Sequence, residues 1–325
     1  MPDGRQRAIP RVRQHRTRTV GEMERTTSPR TADARRLGGA LEPVIAQVYF
    51  SPECHDEYAS LGFDASPGQT RDGVALPDGV AYFTSRGASL GQVPGQVVAA
   101  AFGVFNPEIV VPSVERGWKV TDAATLGAAR DRGALAQLER LLGPRPEGAA
   151  LVEAALVRGA AAVRFEGRAL TAGLLSLDDP DHPLGTIFRR GDVLREYRGD
   201  SHIAAWVAAG LTAIEIGLLT ELYWGLSMRT YSRTRGWSSD QYDAATASLR
   251  KRGLITDDGF TDEGRALRER IEVETDEQMA PVLDAIGDDL DEVVTTLESW
   301  GRIVREGKGY PGSGPHDLAE AAGRG

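Results

Sequence analysis

The residues most able to do chemistry lie together in Arg195-Glu196-Tyr197-Arg198-Gly199-Asp200-Ser201-His202. On a helix, Arg195, Arg198 and His202 share a face about 120° wide with Ile187, Phe188, Leu194 and Trp206. A cation on an apolar face must find an anion, because burying it unpaired costs several kcal/mol or more. One reading is an anion-binding pocket, with Arg198 as a bidentate clamp and His202 as a donor or general base. Arg195 would complete its floor, and Tyr82, Arg86 and Asn106 are its candidate walls. The other reading is a structural network in which Arg198 pairs with Glu53 or another internal acid.

Weaker signals sit elsewhere. Glu53-Cys54-His55 are adjacent and converge poorly on one ion, and Asp178-Asp179-Pro180-Asp181-His182 lacks a second ligand group, so no metal site is expected. Cys54 has only His55 beside it to activate a thiolate. No phosphate-cradling glycine loop, dinucleotide fingerprint, serine elbow or zinc-protease motif occurs. No cofactor is implied, and no dyad is specific enough to name a catalytic reaction.

Long helices must position these groups. Order is expected to begin near Leu41, with a helix to Leu61 broken at Pro52, a loop over residues 64–79 and a compact segment around Arg86. Helices follow after Pro94 and Pro107, at 122–142 and 148–164, and from Leu184 to about Ala209. Strand signals are nearly absent before residue 254, so the class is mainly α.

Residues 212–265 carry the clearest architectural pattern. An apolar helix runs from the Thr212 cap to Leu226, and a short one from Met228 to Thr234. Ser238 opens a third helix with Gln241 three residues on, a capping-box spacing. Leu254-Ile255 is a short strand, Asp257-Asp258-Gly259 a tight turn, and Phe260 starts the return strand. Helix, helix, helix and a two-stranded wing is the order of a winged helix. The stretch LRKRGLITDDGFTDEGRAL resembles the corresponding part of MarR-type regulators. Residues 41–310 also resemble an actinobacterial family of helix-turn-helix proteins. That resemblance rests on Tyr49-Phe50, Tyr82-Phe83 with Arg86, Phe105-Asn106-Pro107, Arg198-Gly199-Asp200-x-His202 and Arg235-Gly236-Trp237. It implies the fold better than a function.

If the unit reads DNA, its third helix enters the major groove. Arg229, Arg233 and Arg235 could hold phosphates, and Arg250, Lys251 and Arg252 lie at the end of that helix. Against this, residues 238–264 hold six acids and three bases, and the wing turn has no cation. Two terminal helices, 265–280 and 282–305, follow. The stripe Val282, Ile286, Leu290, Val293, Leu297, Val304 in the second fits either a homodimer seam, as in MarR-type proteins, or packing within the chain.

The bulk numbers agree with a globular protein of one large or two ordinary domains: 325 residues, 41% hydrophobic and 26% charged. One cysteine, no secretory signal and no apolar run near the roughly 18 residues of a membrane span favour the cytoplasm. The net charge of −9 is uneven. Residues 1–40 carry ten arginines against four acids, and the rest 28 bases against 43 acids. That arginine-rich stretch is expected to be a disordered tail: a nucleic-acid arm, a plain solvated extension, or partly an over-extended start with Met23 the true one. The expected layout is a tail at 1–40, a helical domain at 41–210, a winged-helix-like domain with terminal dimerisation helices at 211–310, and a flexible tail at 311–325.

Three functions follow as expectations. The first is a ligand-responsive, DNA-binding transcriptional regulator. The second is a binding protein or enzyme for a small anionic ligand that uses the winged helix as scaffold. The third is a protein-interaction module.

Overall fold

The computed structural model describes residues 29–312. Its helices are α1 (Pro29–Ile45), α2 (Pro52–Leu61), α3 (Gly79–Gly87), α4 (Gly95–Phe102), α5 (Pro107–Gly117), α6 (Ala123–Leu142), α7 (Ala149–Ala161) and α8 (Ala169–Leu175). They continue as α9 (Gly185–Ala208), α10 (Ala213–Tyr223) and α11 (Ser239–Lys251), then α12 (Asp262–Gln278), α13 (Ala280–Ile286) and α14 (Leu290–Glu306). Between α11 and α12 lie β1 (Ile255–Thr256) and β2 (Gly259–Phe260), antiparallel, with Ile255 opposite Phe260. The fold is therefore mainly α. Among the described residues no single helix is long and apolar enough to cross a membrane.

Local chemistry sets the helix starts. The side chains of Ser51, Asp78, Asn106, Asp122, Thr212, Ser238 and Thr261 each accept a backbone N–H from the first turn that follows. Pro52 and Pro107 occupy the first helical position, where a missing N–H costs nothing.

Three apolar cores organise the chain. The largest gathers α1, α2, α6, α7, α9, α13 and α14, with Leu37, Leu126, Leu156, Phe188, Val282 and Leu297 buried in it. A second joins the end of α9 to α10, α11, the hairpin and the start of α12. A third ties α3, α4 and α5 together around Phe83, Phe102 and Phe105. Helix α9 passes from the first core into the second and is buried on most of its circumference.

Several expected boundaries are corrected. Residues 29–40 were expected in the tail but are helical, because Ala34, Leu37, Leu41 and Ile45 form one buried stripe of α1. The rest of that tail, with Met23, lies outside the described residues, as does the terminal tail from residue 313. The helix expected over 41–61 ends at Ile45 and passes through a 3₁₀ turn, Ala46–Tyr49. The expected helix at 228–234 is only a 3₁₀ turn, Ser232–Arg235. Helix 282–305 is interrupted at Gly287. Of the two expected terminal helices, the first, α12, starts against α10 and the hairpin, whereas the second does not: α13 packs on α7, and α14 packs on α1, α6 and α7. Val293, Leu297 and Val304 are fully buried there. The stripe expected to form a dimer seam is thus covered within the chain.

Candidate nucleic-acid interface and the arginine network behind it

On α9, Arg198 reaches across to α12. Its Nη2 donates to Glu272 and, at 2.9 Å, to Asp276 Oδ1. Asp276 also accepts from Arg35 Nε of α1 at 2.6 Å, and Glu272 from Arg268 Nη1 at 2.7 Å. Burial works to raise the Glu272 pKa, but the Arg268 and Arg198 guanidinium groups outweigh it and hold the carboxyl well below its ordinary range. For Asp276, burial is the larger effect and pushes the pKa up, opposed by Arg198. His202 Nδ1 lies 3.1 Å from Thr275 Oγ1. The Thr275 hydroxyl donates to the Ile271 carbonyl at 2.7 Å, so the imidazole is the donor in that pair. Gly38 of α1 lies against the Arg198 side chain, where a Cβ would come within 3.0 Å of Cδ.

A second group of charges gathers around Glu196. Arg86 donates to both oxygens of Glu196, at 3.1 and 2.9 Å. Arg195 bonds Glu196 at 2.7 Å and Glu42 at 2.8 Å, and stacks 5.2 Å from the Tyr49 ring. Tyr82 packs edge-on against Tyr49. Burial opposes ionisation of Glu196, but Arg86 and Arg195 overcome it and lower the pKa. Glu53, the alternative partner expected for Arg198, instead bonds Arg140 at 2.5 Å.

The expected anion pocket is therefore divided. Arg86 and Arg195 meet around Glu196, with Tyr82 packed on Tyr49 beside them, while Arg198 and His202 meet α12. Asn106 lies apart from both. Each of the three guanidinium groups already holds a protein carboxylate, which is how an apolar helix face carries cations. Cys54 is fully buried, and burial pushes its thiol pKa up to about 12, far from that of a nucleophilic thiolate.

The second core presents a different arrangement. Thr212 and Glu215 form a capping box that starts α10. Glu215 also accepts from the Ser248 hydroxyl at 2.7 Å, tying the beginning of α10 to the end of α11. The connection from α10 to α11 is organised by Glu221, fully buried near the end of α10. Its carboxylate accepts three backbone N–H groups, those of Arg229, Tyr231 and Ser232, each at 2.6 Å. This gathers the turn and supports Arg229 at φ 67°, a left-handed conformation uncommon for a residue with a Cβ. Sequence reasoning missed Glu221. Its only signal is an acid among apolar neighbours, Leu218, Leu219 and Leu222, on a helix meant for a core.

Asn106 belongs to this unit. Its N–H donates to the Arg235 carbonyl at 3.0 Å and its Nδ2 to the Gly236 carbonyl at 3.0 Å, while Trp237 Nε1 donates to the Val104 carbonyl at 3.1 Å. The expected capping box at Ser238 and Gln241 then starts α11. After the hairpin, Thr261 caps α12, and a Cβ on Gly264 would lie 1.8 Å from the Leu254 carbonyl oxygen. Only glycine permits that approach, so Gly264, within the stretch that resembles MarR-type regulators, has a packing role.

The six expected DNA-facing cations separate into three kinds. Arg229 bonds Asp243 at 2.7 Å, Arg250 bonds Asp257, and Arg252 lies 3.3 Å from Glu215. Arg235 is held between the rings of Phe105 and Tyr231, at 4.5 and 4.8 Å. Arg233 and Lys251 are exposed. The outer face of α11 is also exposed at Asp240, Asp243, Ala244 and Ala247.

No curated protein and no solved structure matches the chain. A model of the Helix-turn-helix family does match, over residues 34–311, from the first buried turn of α1 to just beyond α14. With most of its length covered and α10, the Glu221-bound turn and α11 in place, the chain belongs to that helix-turn-helix family.

Proposed function

We propose that this protein is a MarR-like, winged-helix transcriptional regulator that presents α11 to the DNA major groove and the β1–β2 hairpin to the flanking backbone. The observation that carries this reading is the second core. It closes around α10, α11, the hairpin and the start of α12, yet leaves the outer face of α11 to solvent. Ala244 and Ala247 on that face are small enough to let the helix approach base edges. Arg233 and Lys251 flank it as phosphate contacts.

Two features shape how it would bind. The acids beside Arg229 and Arg250 compete with phosphate, so few counterions are released and the affinity falls only modestly with salt. A homodimer, which would present two copies of α11, belongs to this reading. Because the α14 stripe is buried within the chain, the dimer interface would use another surface. The same reading assigns the protein to the cytoplasm, where a regulator of this kind meets DNA. Nothing in the geometry favours the small-anion alternative, since its arginines would first have to release internal carboxylates.

The test is an electrophoretic mobility shift with the fragment upstream of the protein's own gene, at low and moderate salt. A discrete shift is expected, and Ala244→Glu and Ala247→Glu should remove it without changing the melting temperature. No shift at low salt, or one indifferent to these substitutions, overturns the reading.

A further inference from the structure

Asn106 stands where the starts of two helices meet. Its side chain caps α5, with Oδ1 accepting the Glu108 N–H at 3.0 Å. That oxygen must face a donor, so the amide nitrogen faces the other way, and the orientation of the group is fixed by its partners. Nδ2 donates to the Gly236 carbonyl at 3.0 Å and lies 3.4 Å from Gln241 Oε1. The same Gln241 oxygen accepts the Ser238 N–H at 2.9 Å, which is the return half of the capping box that starts α11. One side chain, 3% exposed, therefore starts α5 and also reaches the cap of α11.

The surrounding contacts make this a joint. The Asn106 N–H donates to the Arg235 carbonyl at 3.0 Å, and Trp237 Nε1 to the Val104 carbonyl at 3.1 Å. The Arg235 guanidinium lies over the rings of Phe105 and Tyr231. Gly236, at φ 78°, sits so near α5 that a Cβ would lie 2.3 Å from Ile109 Cδ1. Phe105 belongs to the core of α3, α4 and α5, whereas α11 belongs to the second core. The joint thus fastens the start of α11 to a part of the molecule outside its own core.

We propose that Asn106 is a positioning residue for DNA recognition, which fixes the start of α11 relative to α5 and so sets the register of the base-reading face. This role rests on the DNA reading above. The first residues of a recognition helix contact base edges, and a binding constellation of that kind must be held to within about 0.5 Å. Asn106 is buried and acts through Gly236 and Gln241 rather than by touching DNA.

Asn106→Asp and Asn106→Ser separate the two halves of the side chain. Both keep an oxygen that can cap α5. Asp lacks the donor, and Ser, which adds no charge, stops one atom short of Nδ2. The first readout is hydrogen exchange by mass spectrometry, without DNA. Exchange should quicken several-fold in peptides covering residues 236–245 and keep its wild-type rate in α14. The second is a mobility shift on folded protein, with the fragment upstream of the protein's own gene and with a duplex of scrambled sequence. Affinity for the upstream fragment should fall about tenfold, the worth of one good hydrogen bond. Affinity for the scrambled duplex should change much less, because phosphate contacts do not depend on the register of α11.

A side chain that only caps α5 would leave both readouts at wild type. Unchanged exchange over residues 236–245 in both variants overturns the proposal. So does an unchanged ratio of upstream to scrambled affinity when wild type binds the upstream fragment specifically, and that result leaves the DNA reading standing. Absence of any wild-type shift at low salt retires the DNA reading itself, and the role of Asn106 in recognition falls with it.

Discussion

The seam between α9 and α12 and the outer surface of α11 use the same arginine–carboxylate pair in opposite settings. In the seam, Arg198 is mostly covered and Asp276 is wholly so. Beside α11, the side chain of Arg250 is about half exposed and its partner Asp257 almost fully exposed. A buried pair cannot exchange partners without leaving a charge in a poorly solvated place. An exposed pair contributes little and can trade its carboxylate for another anion. Burial therefore decides which arginines hold the fold and which remain free to trade partners.

The largest effect should come from breaking the seam. Arg198→Met leaves Glu272 with Arg268 alone and Asp276 with Arg35 alone, both in a buried setting. We expect a loss of about 3–5 kcal/mol, read by urea or thermal unfolding. A loss below about 1 kcal/mol would mean that burial does not separate the two regions. Next comes the turn that supports α11. Glu221→Ala abandons three backbone N–H groups, and about 2–3 kcal/mol should be lost, with the DNA shift lost as well. Glu221→Gln keeps one acceptor oxygen and should fall between. Equal behaviour of the two variants would show that the carboxylate does not organise the turn.

Acid titration separates the signs of two buried carboxylates, Glu272 in the seam and Asp200 on the side of α9 that meets α8. Glu272 is held below its ordinary pKa, so its contribution is present above that value and is lost as pH falls through its folded-state pKa. Asp200 is the reverse case. Burial raises its pKa to about 6 from 3.8, against the two hydrogen bonds it accepts from Thr171. The folded state binds its proton more tightly, so stability declines as pH rises from about 3.8 to 6. Asp200→Asn can keep both Thr171 bonds without a charge. It should raise the melting temperature at pH 7.5, by the equivalent of about 1–3 kcal/mol, and change it little at pH 4. A gain of equal size at both values would rule out this assignment.

How much of this could be read in the sequence differs between the same regions. The α10–α11 unit was legible because its signals are local: the Thr212 cap and the capping-box spacing of Ser238 and Gln241. Each cap lies within three residues of what it binds. The α9 network was legible only in part. A helical wheel shows that Arg198 shares an apolar face, but its partners Glu272 and Asp276 stand 74 and 78 residues away. Spacing along one helix carries no information about acids on another. α1 was missed before Leu41 because its arginines and glycines mask the stripe Ala34, Leu37, Leu41. Gly38 makes sense only once Arg198 is seen lying over it. The stripe on α14 was seen, but amphipathicity does not name the surface that covers it, and here that surface belongs to the chain itself.

The smallest expected change in stability is the sharpest test on the exposed side. Asp257→Asn removes the carboxylate facing Arg250 while keeping its size. Stability should change by no more than about 0.5 kcal/mol, because exposed pairs contribute so little. DNA binding should respond in the other direction. With its partner neutralised, Arg250 can take a phosphate, the local charge rises by one, and one more counterion is released on binding. The slope of log affinity against log salt should steepen by about one, and binding at low salt should tighten several-fold. An unchanged slope would mean that Arg250 never meets the DNA backbone. A stability loss as large as that of Arg198→Met would mean that exposure is no guide to which arginines are free.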